Sequence, residues 1–475
     1  MTTTWVLRLA LCLLVIVTIT TATSFSKHGL FWGGNAAGNA SIDTNNVWID
    51  IPEATVTLDL SISSDILITY HIQVESIKSI LSNNPLPTEN NKDILQVRAL
   101  INDIPYRASS TYASTYLVEQ RTFNELTSTF VANDLPLSVV QSITTTDSNT
   151  GLTTTKTTGG HQLKLQWKKI GKQVNKWKIS SANLGSGYSI SALADHSKLW
   201  YNHETTDILL YKKNQWIDVS EKIEFYLKED KNIIIGYSMN VQPQVLSFIK
   251  DRKQEYITSR IVLDGVAFTE GSETHGTSTW NPSSGCLNGY MSIKLTAGVH
   301  EVQLQWRRMG DLFKGWTSNP TYLDGFASSR NLFILEEKYD TPVFEDHSRS
   351  ILLSNGQWLN VKNQIKTFTL VKQSAVLINY ALPVSQYENP KLQSSIWDQL
   401  HEVEARLVID NIPYNWGRSS IHSGGGDRAV LFAQLGLTLE AGTHTITLQW
   451  RSDKVEWTTL NNIDGGFSHG DRKSV

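Results

Sequence analysis

Three stretches of the chain spell nearly one string: "GGHQLKLQW" at Gly159–Trp167, "GVHEVQLQW" at Gly298–Trp306 and "GTHTITLQW" at Gly442–Trp450. Residues two apart share a face of a β-strand. His300, Val302, Leu304 and Trp306 therefore point one way, and Glu301, Gln303, Gln305 and Arg307 the other. His161, Leu163, Leu165 and Trp167 repeat the apolar side, as do His444, Ile446, Leu448 and Trp450. One face is apolar and the other polar, which predicts a single kind of core strand used three times. His161, His300 and His444 open these strands on the core side, beside Trp167, Trp306 and Trp450, and read as structural residues closing the end of a core. A metal site would need companion ligands at fixed spacing, and none recurs with them.

The repetition extends outward from the strand. "VWIDIPEATVTLDL", "QWIDVSEKIEFYL" and "QWLNVKNQIKTFTL" carry Trp48, Trp216 and Trp358; then come "ILITY", "IIIGY" and "VLINY", followed by "RALINDIPY", "RIVLDGVAF" and "RLVIDNIPY" from Arg98, Arg260 and Arg406. The order never changes, so the unit is triplicated. These segments are rich in Val, Ile, Thr and aromatics and alternate with period two, and no window carries a capped helical stripe. Asn102–Asp103, Asp264–Gly265 and Asp410–Asn411 separate short apolar runs and suit the primed turns of hairpins. The fold class expected is all-β: three tandem antiparallel β-sandwich (jelly-roll-like) domains after a signal peptide. The division expected is 1–24 signal peptide, 25–45 N-terminal segment, and sandwiches at 46–205, 206–345 and 346–475. The Thr-rich stretch "SITTTDSNTGLTTTKTTGG" in the first repeat has no periodicity and reads as a mobile loop.

The 475 residues are 40% hydrophobic and 18% charged, with a net charge of −3, which excludes a general attraction to nucleic acid or acidic membranes. Arg8 precedes the apolar run "LALCLLVIVTI", which is short for a membrane span and suits a cleaved export signal. A secreted, extracellular protein is expected, with a type II membrane anchor as the alternative. Cys12 lies in the signal segment, so Cys286 stands alone in the mature chain, either buried or able to bond a second molecule. "NAS" at Asn39 is the one N-glycosylation sequon.

After each Gln-Trp come cations and a second tryptophan: "WKKIGKQVNKW", "WRRMGDLFKGW" and "WRSDKVEW". Trp177, Arg307, Arg308, Trp316 and Trp457 are the candidate ligand-binding residues, because an aromatic face beside cations suits a sugar ring or an acidic glycan. The alternative is a solvated hairpin whose tryptophan folds back onto the sandwich. No P-loop, Gly-x-Ser-x-Gly, His-Glu-x-x-His or Cys-x-x-Cys motif occurs, and no nucleophile–base pair is in view, so no catalysis and no cofactor is expected.

"LTAGVHEVQLQW" and "LEAGTHTITLQW" resemble the late strand of carbohydrate-binding-module jelly rolls, which carry an "L-x-A-G-x-H-x-[IV]-x-L" pattern. That resemblance implies a glycan-binding sandwich, in some members with structural calcium. A looser likeness to tumour-necrosis-factor-like jelly rolls implies trimers, with three copies here in one chain. The expectation is a secreted, non-enzymatic recognition or adhesion protein with a glycan or glycoprotein partner. The alternative is a matrix, coat or surface-layer protein assembled through its repeats. The third repeat reaches "NIDGGFSHGDRKSV" where the second continues into "RNLFILEEKY". An open sheet edge in the third repeat is therefore expected to borrow a strand, from another chain or from Leu30–Trp32, the alternative being a sheet that tolerates the gap with a short, charged edge; that edge and Cys286 are the expected routes of self-association.

Overall fold

Each repeat builds two antiparallel sheets around its own apolar core in a computed structural model of the chain. The described residues are 23–27, 30–35, 40–78, 93–115, 121–136, 141–146, 153–158, 160–171, 174–179, 187–194, 198–244, 254–268, 273–278, 284–318, 330–336, 351–352, 356–386, 401–423, 428–452 and 457–459. Among them the one helical turn is a 3-10 turn at Arg107–Ser109. The signal segment before Thr23 and the sequon at Asn39 lie outside the described residues.

In the first sandwich one sheet runs Thr23–Lys27, Leu30–Asn35, Tyr188–Leu193, Ser64–Lys78, Val174–Ile179, Ser41–Ile42, with Arg121–Leu135 also paired to Ser64–Lys78. The facing sheet runs Ile49–Leu58, His161–Ile170, Asp93–Ile101, Ile104–Pro105, with Thr111–Thr115 also against Asp93–Ile101. In the second sandwich Lys231–Gln244 pairs with Gly285–Leu295, Arg330–Glu336 and Gly315–Thr317, and Lys198–Glu204 lies beyond Arg330–Glu336. Its facing sheet is built on Gly298–Met309 and Gln254–Leu263. The third has Ile351–Leu352, Trp457–Thr459, Ser374–Gln386, Arg428–Leu439 against Leu359–Leu370, Gly442–Ser452, His401–Ile409, Ile412–Ser423.

The repeated strand takes the same place in each. Trp167 is registered with Ile49 and Val97, Trp306 with Ile217 and Ser259, and Trp450 with Leu359 and Ala405. All three indoles are buried. The hairpin turns adopt the left-handed backbone that their sequences predict, with positive φ at Asn102, Asp103, Asp264, Gly265, Asp410 and Asn411.

Pairing moves two boundaries. Leu30–Asn35 joins the first sandwich through Tyr188–Leu193, so it is not an unassigned lead-in and it does not complete the third sheet. Lys198–Glu204 pairs with Arg330–Glu336, so the second sandwich begins before residue 206. The Thr-rich stretch is a hairpin rather than a loop: Gln141–Thr146 pairs with Thr153–Thr158.

The three sandwiches meet through the outer faces of equivalent strands. Thr69, Gly236 and Asn379 each precede the repeated tyrosine, and across the sheet they face Thr129, Tyr290 and Gln434. Thr129 bonds the Tyr290 hydroxyl at 2.7 Å, Tyr290 stacks on Phe432, and the Gln434 amide donates to the Thr69 carbonyl at 3.1 Å. Ser191 donates to Gln434, and Thr111 to Asn240 at 2.8 Å. Trp32 lies against Gly436, where an added Cβ would meet the indole at 2.4 Å. Gly436→Ala is therefore expected to loosen the first–third contact by about 1–3 kcal/mol, read as a fall in melting temperature. The faces that the sheets turn to one another mix aromatic rings with buried polar side chains, several of which hydrogen-bond across the junction.

Candidate functional site

The structure places the predicted residues in unequal settings. Trp177, Trp316 and Trp457 are 0% exposed. They cannot stack on a glycan: after each repeated strand the chain crosses to the opposite sheet, where Val174–Ile179, Gly315–Thr317 and Trp457–Thr459 pair with Ser64–Lys78, Lys231–Gln244 and Ser374–Gln386. That crossing turns the tryptophan into the core. Arg308 is also buried, ion-paired with Glu255, and its guanidinium donates to the Lys314 carbonyl at 3.0 Å. Arg307 alone of the five stays on the outer face. Cys286 is half-buried, its thiol directed at the Thr127 carbonyl at 2.9 Å across the junction of the first two sandwiches.

The three histidines clip the hairpin turn to the strand. His300 Nδ1 lies 2.8 Å from Asp264 and Nε2 2.9 Å from the Thr296 carbonyl; His444 repeats this with Asp410 at 2.7 Å and the Glu440 carbonyl at 2.9 Å. Two acceptors hold two N–H groups, so the imidazolium fits. Burial pushes the His300 pKa down, but the Asp264 and Thr296 hydrogen bonds carry it above 6.5; the Asp410 bond raises His444 likewise, and the same bond holds Asp410 below 3.8. In the first repeat Asn102 Oδ1 accepts from Gln162 N, so its amide N–H₂ faces His161 Nδ1, and His161 Nε2 lies 2.8 Å from the Pro136 carbonyl.

The sign follows from linkage. A raised histidine pKa stabilises the fold fully below about 6.5 and the gain is lost as pH rises through the folded value. A lowered aspartate pKa stabilises above about 3.8 and the gain is lost as pH falls through the folded value. The His444–Asp410 clip is thus strongest between roughly pH 4 and 6.5, and the His300 clip below about 6.5. His300→Gln is expected to cost about 1–2 kcal/mol near pH 5.5 and less at pH 8. Melting temperatures of the two proteins across pH check it, and a gap that widens with pH would contradict the clip.

A second constellation recurs on the outer face of the sheet that holds each repeated strand. Trp48, Trp216 and Trp358 are half-buried. A guanidinium lies over each ring, 4.0 Å from the centroid for Arg98 on Trp48, 4.0 Å for Arg260 on Trp216 and 4.1 Å for Arg406 on Trp358. The residue after the core tryptophan supplies a further cation: Lys168 at 5.1 Å, Arg307 at 4.5 Å and Arg451 at 4.7 Å. The arginine also donates through Nε and Nη2 to one glutamine oxygen, of Gln166, Gln305 or Gln449, at 2.8–3.1 Å. The glutamine amide in turn donates to Asp50, Asp218 or Asn360.

Register explains the assembly. Arg98 lies directly across from Gln166 and Asp50 on the other side, as Arg260 and Asp218 flank Gln305, and Arg406 and Asn360 flank Gln449. Partly exposed indole beside fixed N–H donors and an amide is chemistry that grips a polar ring with an apolar face. The sequence signal for it was present in the fixed recurrence of Trp, Arg and Gln at polar-face positions.

Among the described residues no group of three or more His, Cys, Asp or Glu could hold a metal ion, and no helix is long and apolar enough to cross a membrane. No family model and no curated protein matches the sequence. Solved structures share only the broad architecture. PNGF-II is 12% identical, with 71% of this chain and 69% of that chain covered, at a TM-score of 0.27. PNGase F, a glycosylasparaginase from Flavobacterium meningosepticum, is 7% identical over 67% and 96%, at 0.29. The triple jelly roll of an archaeal virus turret is 12% identical over 93% and 89%, at 0.16. Of what the resemblance to carbohydrate-binding modules implied, the structure bears out the jelly-roll-like β-sandwich. The expectation of a non-enzymatic chain is corrected: PNGase F, among the solved structures compared, is a glycosylasparaginase, and the absence of familiar motifs in this sequence is no evidence against catalysis.

Proposed function

We propose that this is an exported recognition protein that binds glycans at three equivalent surfaces, the Trp–Arg–Gln platforms around Trp48, Trp216 and Trp358. The observation that carries the reading is the platform itself, built three times with matching ring–cation and arginine–glutamine distances. Each platform alone offers little area, and linkage of three in one chain raises the effective concentration of the second and third.

A glycan array with the full chain tests it, beside variants carrying Trp48→Ala, Trp216→Ala and Trp358→Ala singly and together. Each single change is expected to weaken multivalent binding by about tenfold or more. Undiminished binding by the triple variant, with its fold intact, would sink the reading.

A second reading, assembly through the third sandwich, has its own observation. Ser374–Gln386 is paired on one side with Arg428–Leu439, while among the described residues the other side carries only Trp457–Thr459, opposite Val384–Gln386. The sister strands bear Tyr188–Leu193 and Arg330–Glu336 there. Val376 and Ile378 are accordingly half-exposed, whereas their counterparts Ile66, Ile68, Ile233 and Ile235 are fully buried. A peptide copying Arg330–Glu336 is expected to raise the melting temperature of the full chain and suppress concentration-dependent light scattering. No change in either would count against strand acceptance.

A further inference from the structure

The third platform differs from its sisters in carrying three guanidinium groups around its ring. Arg406, Arg418 and Arg451 place three guanidinium groups around Trp358, their central carbons 4.1, 5.1 and 4.7 Å from the ring centre. One carboxylate meets them: Glu404 accepts from Arg418 at 2.7 Å and from Arg451 at 3.0 Å. Among the described residues Arg406 donates to the uncharged amide oxygen of Gln449. Arg418 is buried with no hydrogen-bond partner at Nε. The acidic residue that anchors the glutamine in the other copies, Asp50 or Asp218, is replaced by Asn360. Glu402 lies two residues before Glu404 on the same strand face, and with it counted the cluster carries the same excess of one positive charge as its sisters; what sets it apart is a third guanidinium and an uncharged residue at the glutamine. Burial, then the nearby Arg418 and Arg451, lower the Arg406 pKa, against the opposing pull of Glu404.

We infer that the third platform is an oxyanion subsite, taking a sulfate or carboxylate of an acidic glycan at Arg406 and Arg451 while the first two platforms hold neutral sugar surface. The inference rests on the glycan reading above. Planar guanidinium groups match the oxygens of both anions, and Arg418 adds its charge from beneath.

The sister copies supply the test. Asn360→Asp restores the residue type that the first two platforms already carry, so it leaves the fold intact, which its melting curve verifies. Calorimetry on the full chain at fixed ionic strength would use a heparin octasaccharide, a carboxylate-only oligogalacturonide and a neutral cello-oligosaccharide. Asn360→Asp is expected to weaken the acidic ligands on the order of tenfold and leave the neutral one unchanged. Arg406→Gln is expected to do so more strongly. A sulfate-bearing source is indicated if heparin alone responds, a uronate source if the oligogalacturonide does. Acidic binding without neutral binding would uphold the subsite and sink the three-platform reading. Neutral binding with no added affinity for either acidic ligand would overturn the subsite and leave that reading standing, as would Asn360→Asp and Arg406→Gln binding like the wild type.

Discussion

Arg308→Ala is expected to destabilise the second sandwich by about 3–5 kcal/mol, because it strands a buried carboxylate. Glu255 is 0% exposed, and besides Arg308 it accepts from Leu312 N at 2.7 Å, Phe313 N at 3.0 Å and the Trp316 indole at 2.8 Å. The pair thus holds the loop between Met309 and Gly315 as a set of charge-assisted bonds. Without the arginine, Glu255 must either stay charged in a dry setting or take up a proton, and both cost stability. Denaturant unfolding checks the size, and a loss below about 1 kcal/mol would show the pair to be solvated. Combining Arg308→Met with Glu255→Gln is expected to recover part of the loss, since no charge is then left alone.

Trp177→Ala is expected to cost about 3–5 kcal/mol, the scale of a large cavity in a packed core. The same holds for Trp457→Ala. Trp216→Ala, by contrast, removes two cation–ring contacts at the surface and is expected to cost about 1 kcal/mol while abolishing most ligand contact at that platform. Thermal melts beside binding curves separate the two classes. If Trp177→Ala were mild and Trp216→Ala severe, the roles assigned to inner and outer tryptophans would be reversed.

Much of this was legible in one string. The alternation in Gly298–Trp306 specifies a strand with one buried face, and its recurrence specifies three cores. The same alternation already put Arg308 on the side of Trp306, two residues on, where a cation must be paired. The basic tryptophan segments misled because their fate depends on a crossing between sheets, and no local pattern states that Trp316 will pair into the strand Lys231–Gln244. The platforms were hidden for a related reason. Trp48 lies just before the strand Ile49–Leu58 while Arg98 and Gln166 sit on two others, and only the register of pairing brings them within reach. The Thr-rich hairpin lacked any apolar residue pattern to announce its strands, being held by backbone pairing.

The junction of the sandwiches has an evolutionary corollary. In a trimer of separate identical chains, any residue at the axis meets copies of itself, so one side-chain type must satisfy three equal neighbours. Here the equivalent positions hold Thr129, Tyr290 and Gln434, a hydroxyl, a phenol and an amide with different bonds. Three copies within one polypeptide are under no such identity constraint. Each lobe can drift toward its own sequence inside and its own chemistry outside without changing the stoichiometry, which the tether fixes at one of each.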